Sequence, residues 1–193
     1  MITAITILFA YLLGSIPIGF LLGYLSGVDV RQAGSGNVGA TNVARVVGKG
    51  QGLITLLGDV AKGFIPPFLS LQLGLGLWVS ALAGLAAFLG HLYPAFLKFQ
   101  GGKGVATALG VFLVLAPMAT LVLVFVFSFV AMVSRLVSLA SMVAAAFAPI
   151  ALWLFSYSPL LIWLSLLIAL LIIFRHQENI RRLIAGVEPR FGL

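Results

Sequence analysis

The charged residues of this chain are confined to four segments, and long apolar runs separate them. The segments lie at residues 29–62, 98–103, 135 and 175–190. Hydrophobic residues make up 62% of the chain and charged residues 8%, against about 25% charged residues in a soluble domain. A soluble fold could not bury so much apolar surface. The pattern therefore predicts an all-α integral membrane protein, because helices satisfy their own backbone hydrogen bonds in lipid.

Three of the apolar runs are too long for one membrane-spanning helix each. They cover residues 63–97, 104–134 and 136–174, whereas a bilayer core about 30 Å thick needs about 20 helical residues. Glycine or proline lies near the middle of each run, so each is expected to fold as a helical hairpin. One initial helix and three hairpins predict seven transmembrane helices, at roughly 2–26, 53–73, 77–97, 104–116, 118–134, 137–155 and 159–175.

Hairpins return the chain to the side it left, so all four charged segments are predicted on one membrane face. The net charge is +7, and basic residues collect in cytoplasmic loops. This face is therefore predicted to be cytoplasmic, with the N-terminus outside and the C-terminus in the cytoplasm. Residues 1–193 are predicted to form one membrane domain. Its cytoplasmic motif segments are expected at 34–48, 98–104 and 176–188.

The first charged segment contains a glycine-rich loop, residues 34–42, with the sequence GSGNVGATN. It matches G-x-G-x-x-G, but a dinucleotide fold needs a preceding strand, and here a predicted membrane helix precedes it. Glycines let backbone N–H groups converge on an anion, and the loop adds neutral side-chain donors. A short helix over 40–47 follows, and its Arg45 can pair with a phosphate. The alternative is an ordinary turn before an interfacial helix.

The second charged segment offers another candidate anion site. A glycine-rich turn, residues 101–104, places Lys103 at the start of a predicted helix, where the helix dipole favours anions. Lys98 and Arg135 are interpreted as positive-inside anchors. The few basic residues on so apolar a body favour anionic ligands and membrane lipids as partners, and argue against nucleic acid.

Three polar residues within predicted membrane helices are interpreted as structural. Asp59 and Lys62 have the i, i+3 spacing of an ion pair. We favour that interpretation over a catalytic aspartate, because intramembrane charges are usually paired. A lone histidine such as His91 is more often a hydrogen-bonded core residue than a catalyst.

The last charged segment continues the final predicted helix into the cytoplasm. His176, Asn179 and Arg182 recur at i, i+3 and i+6, and therefore share one helix face. The alternative is a solvated basic helix lying on anionic lipid. The chain contains no cysteine and two histidines. No metal-ligand pattern and no nucleophile elbow is present, so a metal site and a Ser-His-Asp triad are not predicted.

Three segments resemble, in order, the three cytoplasmic motifs of the bacterial PlsY family, the acyl-phosphate:glycerol-3-phosphate acyltransferases. They are residues 35–42 (SGNVGATN), 90–107 (GHLYPAFLKFQGGKGVAT) and 176–183 (HQENIRRL), the last followed by Gly186 and Glu188. The resemblance covers essentially the whole chain. Each motif alone is modest evidence, whereas all three in this order are specific.

This resemblance implies the transfer of a fatty acyl group from acyl phosphate to the 1-hydroxyl of sn-glycerol 3-phosphate. The products are lysophosphatidic acid and phosphate, in phospholipid biosynthesis, and no cofactor is implied. The implied location is the bacterial inner membrane, with the active site facing the cytoplasm. The first motif would hold the donor phosphate, and the second and third would help to bind glycerol 3-phosphate.

Residue roles follow from the resemblance together with side-chain chemistry. The expected donor-phosphate ligands are Ser35, Gly36, Asn37, Val38, Gly39 and Thr41. The expected ligands of glycerol 3-phosphate are Arg45, Lys103, His176 and Asn179. The residues expected to act in catalysis are Ser35, Lys103 and His176. Supporting roles are expected for Asn42, Gly101, Gly102, Gly104 and Glu178.

Direct attack of the acceptor hydroxyl on the acyl carbonyl is the favoured mechanism, because an acyl phosphate is already activated. The base is either His176 or the donor's own phosphate oxygens. An acylated Ser35 is a less favoured alternative, since no base is adjacent in sequence. A transporter of an organophosphate is the main alternative function. It predicts polar residues at the membrane midplane, whereas the charged segments here are predicted at one face.

Overall fold

The computed structural model describes residues 1–191, and these contain helices and no strand. One 3₁₀ turn, Ala95–Leu97, accompanies the α-helices. The α-helices are α1 (Ile2–Gly14), α2 (Ile18–Leu25), α3 (Ala40–Val46), α4 (Lys49–Gln72), α5 (Gly76–Leu92), α6 (Val105–Leu115), α7 (Pro117–Ser134), α8 (Val137–Leu154), α9 (Pro159–Arg175) and α10 (Gln177–Ile184).

Five helical segments of the described chain are long and apolar enough to span a membrane. They are Ile2–Leu25, Lys49–Gln72, Gly76–Leu97, Pro117–Ser134 and Val137–Leu154. The bent pair α9 and α10 makes a sixth if it counts as one span. Helix α6 has only 11 residues, about 16 Å of helix, which is too short to cross a bilayer alone. Seven spans and the orientation of the termini therefore stay predictions.

The first predicted helix, 2–26, is interrupted in the structure. Helix α1 ends at Gly14 and α2 begins at Ile18. Pro17 has no N–H to donate and disfavours helical backbone at the residue before it, Ile16. The interruption exposes the Ile16 carbonyl group to side chains of other helices.

The chain divides into two compact units, Met1–Leu115 and Ala116–Leu193. In the first unit, α4 packs on α5 and α6, and α1 packs on α5. In the second, α8 packs on both α7 and α9. The single membrane domain predicted over 1–193 also includes residues 192 and 193, which lie outside the described residues.

Glycines let the helices of the first unit touch backbone to backbone. A Cβ atom on Gly63 of α4 would overlap the carbonyl oxygen of Thr107 in α6, and one on Gly110 of α6 would overlap that of Val60 in α4. Small residues at contact positions are the usual means of close helix packing in membranes. The backbone of the short helix α6 thereby lies directly against that of α4.

We expect Gly63→Ala to lower the apparent melting temperature of the detergent-solubilised protein by roughly 5–10 °C, because overpacking costs about 1–3 kcal/mol. Gly50→Ala is the matched control in the same helix, since a Cβ at Gly50 meets nothing within 4 Å. Its melting temperature should stay unchanged or rise slightly, because alanine favours helix. Equal effects of the two substitutions would contradict the close contact of α4 with α6.

Candidate functional site

Asn42 organises the 34–42 loop. Its side chain is buried, and its amide nitrogen lies within hydrogen-bond distance of the carbonyl oxygens of Val30 (3.0 Å), Ala33 (3.1 Å) and Asn37 (2.9 Å). Its amide oxygen accepts the N–H of Ser35 at 2.9 Å. One buried side chain therefore connects the chain before the loop with the loop itself, and this contact network holds the loop in one shape.

Part of the loop's backbone is committed to internal hydrogen bonds. The Gly36 N–H donates to Ala33 and the Gly39 N–H to the side chain of Asn37. Gly36 has φ +70°, a left-handed conformation that favours glycine. Within residues 1–191, five backbone N–H groups of the loop make no hydrogen bond, those of Gly34, Asn37, Val38, Ala40 and Thr41. The anion-binding nest expected from the glycines is thus smaller and shifted toward the start of α3.

Three polar side chains of this region are available for a ligand. In the described part of the chain, Ser35, Thr41 and Arg45 make no side-chain hydrogen bond or ion pair. Thr41 and Arg45 are exposed, and Ser35 is half-buried. Two hydroxyl groups and one guanidinium can therefore meet an anion without breaking an existing contact.

The 101–104 turn packs directly on the end of α5. The Gly101 N–H donates to the carbonyl of Leu92 and the Gly102 N–H to that of His91, both at 3.1 Å. A Cβ on Gly102 would overlap Nε2 of the His91 ring. Only glycine fits at position 102, because the His91 ring occupies the space that a side chain would need. Lys103, which is half-buried, follows directly before α6.

An ion pair is buried in the first unit, as the spacing of Asp59 and Lys62 predicts. Their side chains are 3.0 Å apart, and the Lys62 ammonium also donates to the carbonyl of Ile16 at 3.0 Å. The His91 ring lies 3.6 Å from the same carboxylate oxygen. All three side chains are buried. The pair lies within α4 rather than at its end, because α4 begins at Lys49, before the predicted start at 53.

A small cavity brings both motifs of the first unit to the buried charges. Asp59, Lys62 and His91 line it together with Val38 of the 34–42 loop and Gly101 of the 101–104 turn. The remaining lining residues are Gly14, Ser15, Pro17, Ile18, Gly19 and Pro94. The sequence analysis included His91 in the 90–107 segment without a site role, and it did not connect Asp59 and Lys62 with the motifs. The signal in the sequence that could have connected Asp59, Lys62 and His91 with the site is that these polar residues lie in otherwise apolar helices.

In the second unit, Glu188 holds the last motif together. Its carboxylate accepts hydrogen bonds from Ser138 (2.6 Å), Asn179 (2.6 Å) and Arg182 (2.7 Å). Burial alone would raise the pKa of Glu188, but these hydrogen bonds outweigh it and lower the pKa below its usual 4.5. Glu178, expected in a supporting role, is 77% exposed and lies 3.9 Å from Arg182. Glu188, and not Glu178, therefore accepts the hydrogen bonds that stabilise this segment.

His176 lies at the bend of 58° between α9 and α10, and its side chain is buried. Its Nδ1 is 2.8 Å from the carbonyl oxygen of Ile172. A carbonyl oxygen only accepts, so Nδ1 carries the proton in this contact. In the neutral ring, Nε2 then carries the lone pair. The ring can act there as a base when neutral, or bind an anion when protonated.

We expect Glu188→Gln to lower the apparent melting temperature by roughly 4–8 °C at pH 7, because hydrogen bonds to a charged acceptor contribute about 2 kcal/mol. A lowered folded pKa adds stability above the ordinary value of 4.5, and that stability is lost as the pH falls through the folded pKa. The difference in melting temperature between the variant and the parent should therefore become smaller below pH 4.5. The exposed Glu178→Gln is the control and should match the parent. A difference that does not depend on pH would contradict the charged network.

Comparison with known proteins places these motifs in a family. The model of the glycerol-3-phosphate acyltransferase family matches residues 4–186. The glycerol-3-phosphate acyltransferase of Trichlorobacter lovleyi is 53% identical over 182 residues, covering 94% of each chain. That of Aquifex aeolicus is 46% identical over 186 residues, covering 96% of this chain and 97% of that protein.

Two crystal structures of PlsY (YgiH), an integral membrane glycerol 3-phosphate acyltransferase, are similar over 100% of this chain and 96% of theirs. The glycerol 3-phosphate form has a TM-score of 0.96 at 45% identity, and the lysophosphatidic acid form 0.92 at 44%. The resemblance inferred from the three motifs is confirmed. The chain is an integral membrane protein that belongs to the glycerol-3-phosphate acyltransferase family.

Proposed function

We propose that this chain moves a fatty acyl group from acyl phosphate to the 1-hydroxyl of sn-glycerol 3-phosphate. Lysophosphatidic acid and phosphate are the products. The observation that carries the proposal is the 34–42 loop, which Asn42 holds in one shape while the hydroxyl groups of Ser35 and Thr41 and the N–H groups of Asn37 and Val38 make no hydrogen bond within the described residues. Donors fixed before binding favour an anion without a reorganisation cost. We place the enzyme in a bacterial inner membrane with this loop facing the cytoplasm.

The donor phosphate is assigned to the 34–42 loop. Ser35 and Thr41 donate through their hydroxyl groups, and Asn37 and Val38 through backbone N–H groups. The glycines at 36 and 39 contribute the shape of the loop, because their own N–H groups are already bonded. An acyl phosphate has a phosphate head and an apolar tail, which suits a polar loop placed beside membrane-spanning helices.

The acceptor is assigned to the basic residues. In the first unit, Arg45 pairs with the phosphate of glycerol 3-phosphate through its planar guanidinium, and Lys103 adds a second positive charge. In the second unit, His176 and Asn179 stay predicted ligands of the same substrate. Positioning of the hydroxyl against the acyl carbonyl supplies much of the rate acceleration.

The reaction is a direct acyl transfer. The 1-hydroxyl oxygen attacks the acyl carbonyl carbon, a C–O ester bond forms, and the bond from that carbon to the phosphate oxygen breaks. Phosphate leaves with the electron pair of the broken bond, and the hydroxyl proton passes to a phosphate oxygen. An acyl phosphate is already activated, so the transfer needs no acyl-enzyme on Ser35. Phosphate thus serves as leaving group and base.

The direct test measures free phosphate from purified protein mixed with acyl phosphate, with and without glycerol 3-phosphate. We expect phosphate release that depends on the acceptor, together with one equivalent of 1-acyl product by mass spectrometry. Glycerol is the control acceptor, and it should react far more slowly because it lacks the phosphate. Acyl transfer from acyl-CoA at the same rate, or no acceptor-dependent release, would contradict the proposal. An acyl adduct trapped on Ser35 would replace the direct mechanism by a two-step one.

The role of His176 is tested by separating binding from turnover. If phosphate is the base, His176→Gln should raise the KM for glycerol 3-phosphate about tenfold, equivalent to about 1.4 kcal/mol of lost binding, and change kcat little. Loss of a general base would instead lower kcat by about 10²–10⁴. A fall in kcat of that size in both His176→Gln and His176→Ala, at unchanged KM, would assign the base to His176.

A further inference from the structure

His91 contacts the 101–104 turn with both its backbone and its ring. Its carbonyl accepts the N–H of Gly102 at 3.1 Å, and the carbonyl of the next residue, Leu92, accepts that of Gly101. The ring edge at Nε2 occupies the space that a side chain at position 102 would need. The conformation of the residue directly before Lys103 therefore depends on where the His91 ring lies.

Buried charge sets the position of that ring. Nδ1 of His91 faces the Asp59 carboxylate at 3.6 Å, and Lys62 holds the same carboxylate at 3.0 Å. Lys62 is itself fixed by the carbonyl of Ile16 in the interruption between α1 and α2. These contacts form one continuous series from the first helix to the 101–104 turn.

A purely structural link between α4 and α5 does not need charge. At the other end of the same two helices, Ser80 donates to Ser70 at 3.0 Å, and both side chains are buried. That neutral pair joins the helices without the desolvation cost of a buried carboxylate and ammonium, which amounts to several kcal/mol for each ion. Charged groups in membrane helices are therefore a sign of function.

We propose that His91 is a positioning residue that places Lys103 for the phosphate of the acceptor, with Asp59 and Lys62 orienting its ring. This inference rests on the proposed function, because it assigns Lys103 to glycerol 3-phosphate. His91 acts through the glycine turn and does not itself touch the substrate. Substitution of a residue of this kind should weaken acceptor binding and leave donor binding at the 34–42 loop unchanged.

Kinetics of His91→Leu test the inference. We expect the KM for glycerol 3-phosphate to rise about tenfold, while the KM for acyl phosphate stays within twofold. In a Lys103→Ala background the same substitution should change the acceptor KM less than twofold, because residues acting through one group are not additive. His91→Gln, whose amide can still meet Asp59, should restore the acceptor KM to within about threefold of the parent. Ser70→Ala is the matched control and should leave both KM values unchanged.

Labelling of lysines gives a second measurement that needs no activity. Purified protein is treated briefly with acetic anhydride, and acetylation at Lys103 is compared with that at the exposed Lys98 by mass spectrometry. We expect His91→Leu and Asp59→Asn to change this ratio at least threefold, and Ser70→Ala to leave it unchanged. An unchanged ratio in both variants would overturn the inference whether or not the parent is active.

Two kinetic results would also overturn the inference. The first is that His91→Leu raises the KM for glycerol 3-phosphate by the same factor in the Lys103→Ala background as in the parent. The second is that His91→Leu raises the KM values for both substrates equally. An inactive parent chain would instead contradict the proposed function, and the labelling ratio would still decide the placement of Lys103. The two failures are therefore distinguishable.

Discussion

Polar groups buried in an apolar protein must find partners within that protein, because lipid offers none. The first unit meets this constraint at two places. The amide of Asn42 serves the carbonyls around the 34–42 loop, and Lys62 serves both Asp59 and the carbonyl of Ile16. Removing Asn42 would take away the side-chain donor of the Val30 and Asn37 carbonyls, and removing Lys62 would take away the partner that lies 3.0 Å from the buried Asp59 carboxylate. Asn42 thus stabilises the shape of the loop, and Lys62 stabilises the break that Pro17 introduces in the first span.

The same constraint explains how a rigid site coexists with available donors. Internal hydrogen bonds use the N–H groups of Ser35, Gly36 and Gly39, and the unbonded N–H groups of Asn37 and Val38 stay available for a ligand. Glycines at 101 and 102 let a second turn approach the end of α5 closely. In the second unit, Glu188 gathers three donors from α8 and α10. The first and last motifs are therefore each held by one polar residue, Asn42 and Glu188, that takes no direct part in the proposed chemistry, whereas the 101–104 turn is held by backbone hydrogen bonds to the end of α5.

Residues at the helix ends explain which helix bounds could be predicted from the sequence. Helix α7 is Pro117–Ser134 in the structure against 118–134 expected, because a proline begins it and Arg135 follows it. Elsewhere, a proline in the sequence did not by itself indicate whether a helix ends at that position. Pro17 lies at a break, whereas Pro66 and Pro67 lie inside α4 without ending it. At the break, the side chain of Lys62, 46 residues further along the chain, donates to the carbonyl of Ile16. No local sequence window contains that information.

The sequence by itself determined the helical membrane class, the family and the residues of the three motifs, because apolar length and motif order are local properties of the chain. It also determined the Asp59–Lys62 ion pair, since the two residues are one helical turn apart. Only the tertiary structure decided that His91 joins this pair, that the pair lies beside Val38 and Gly101, and that Glu188 rather than Glu178 holds the last motif. Those contacts join residues far apart in the chain, and packing alone selects among them.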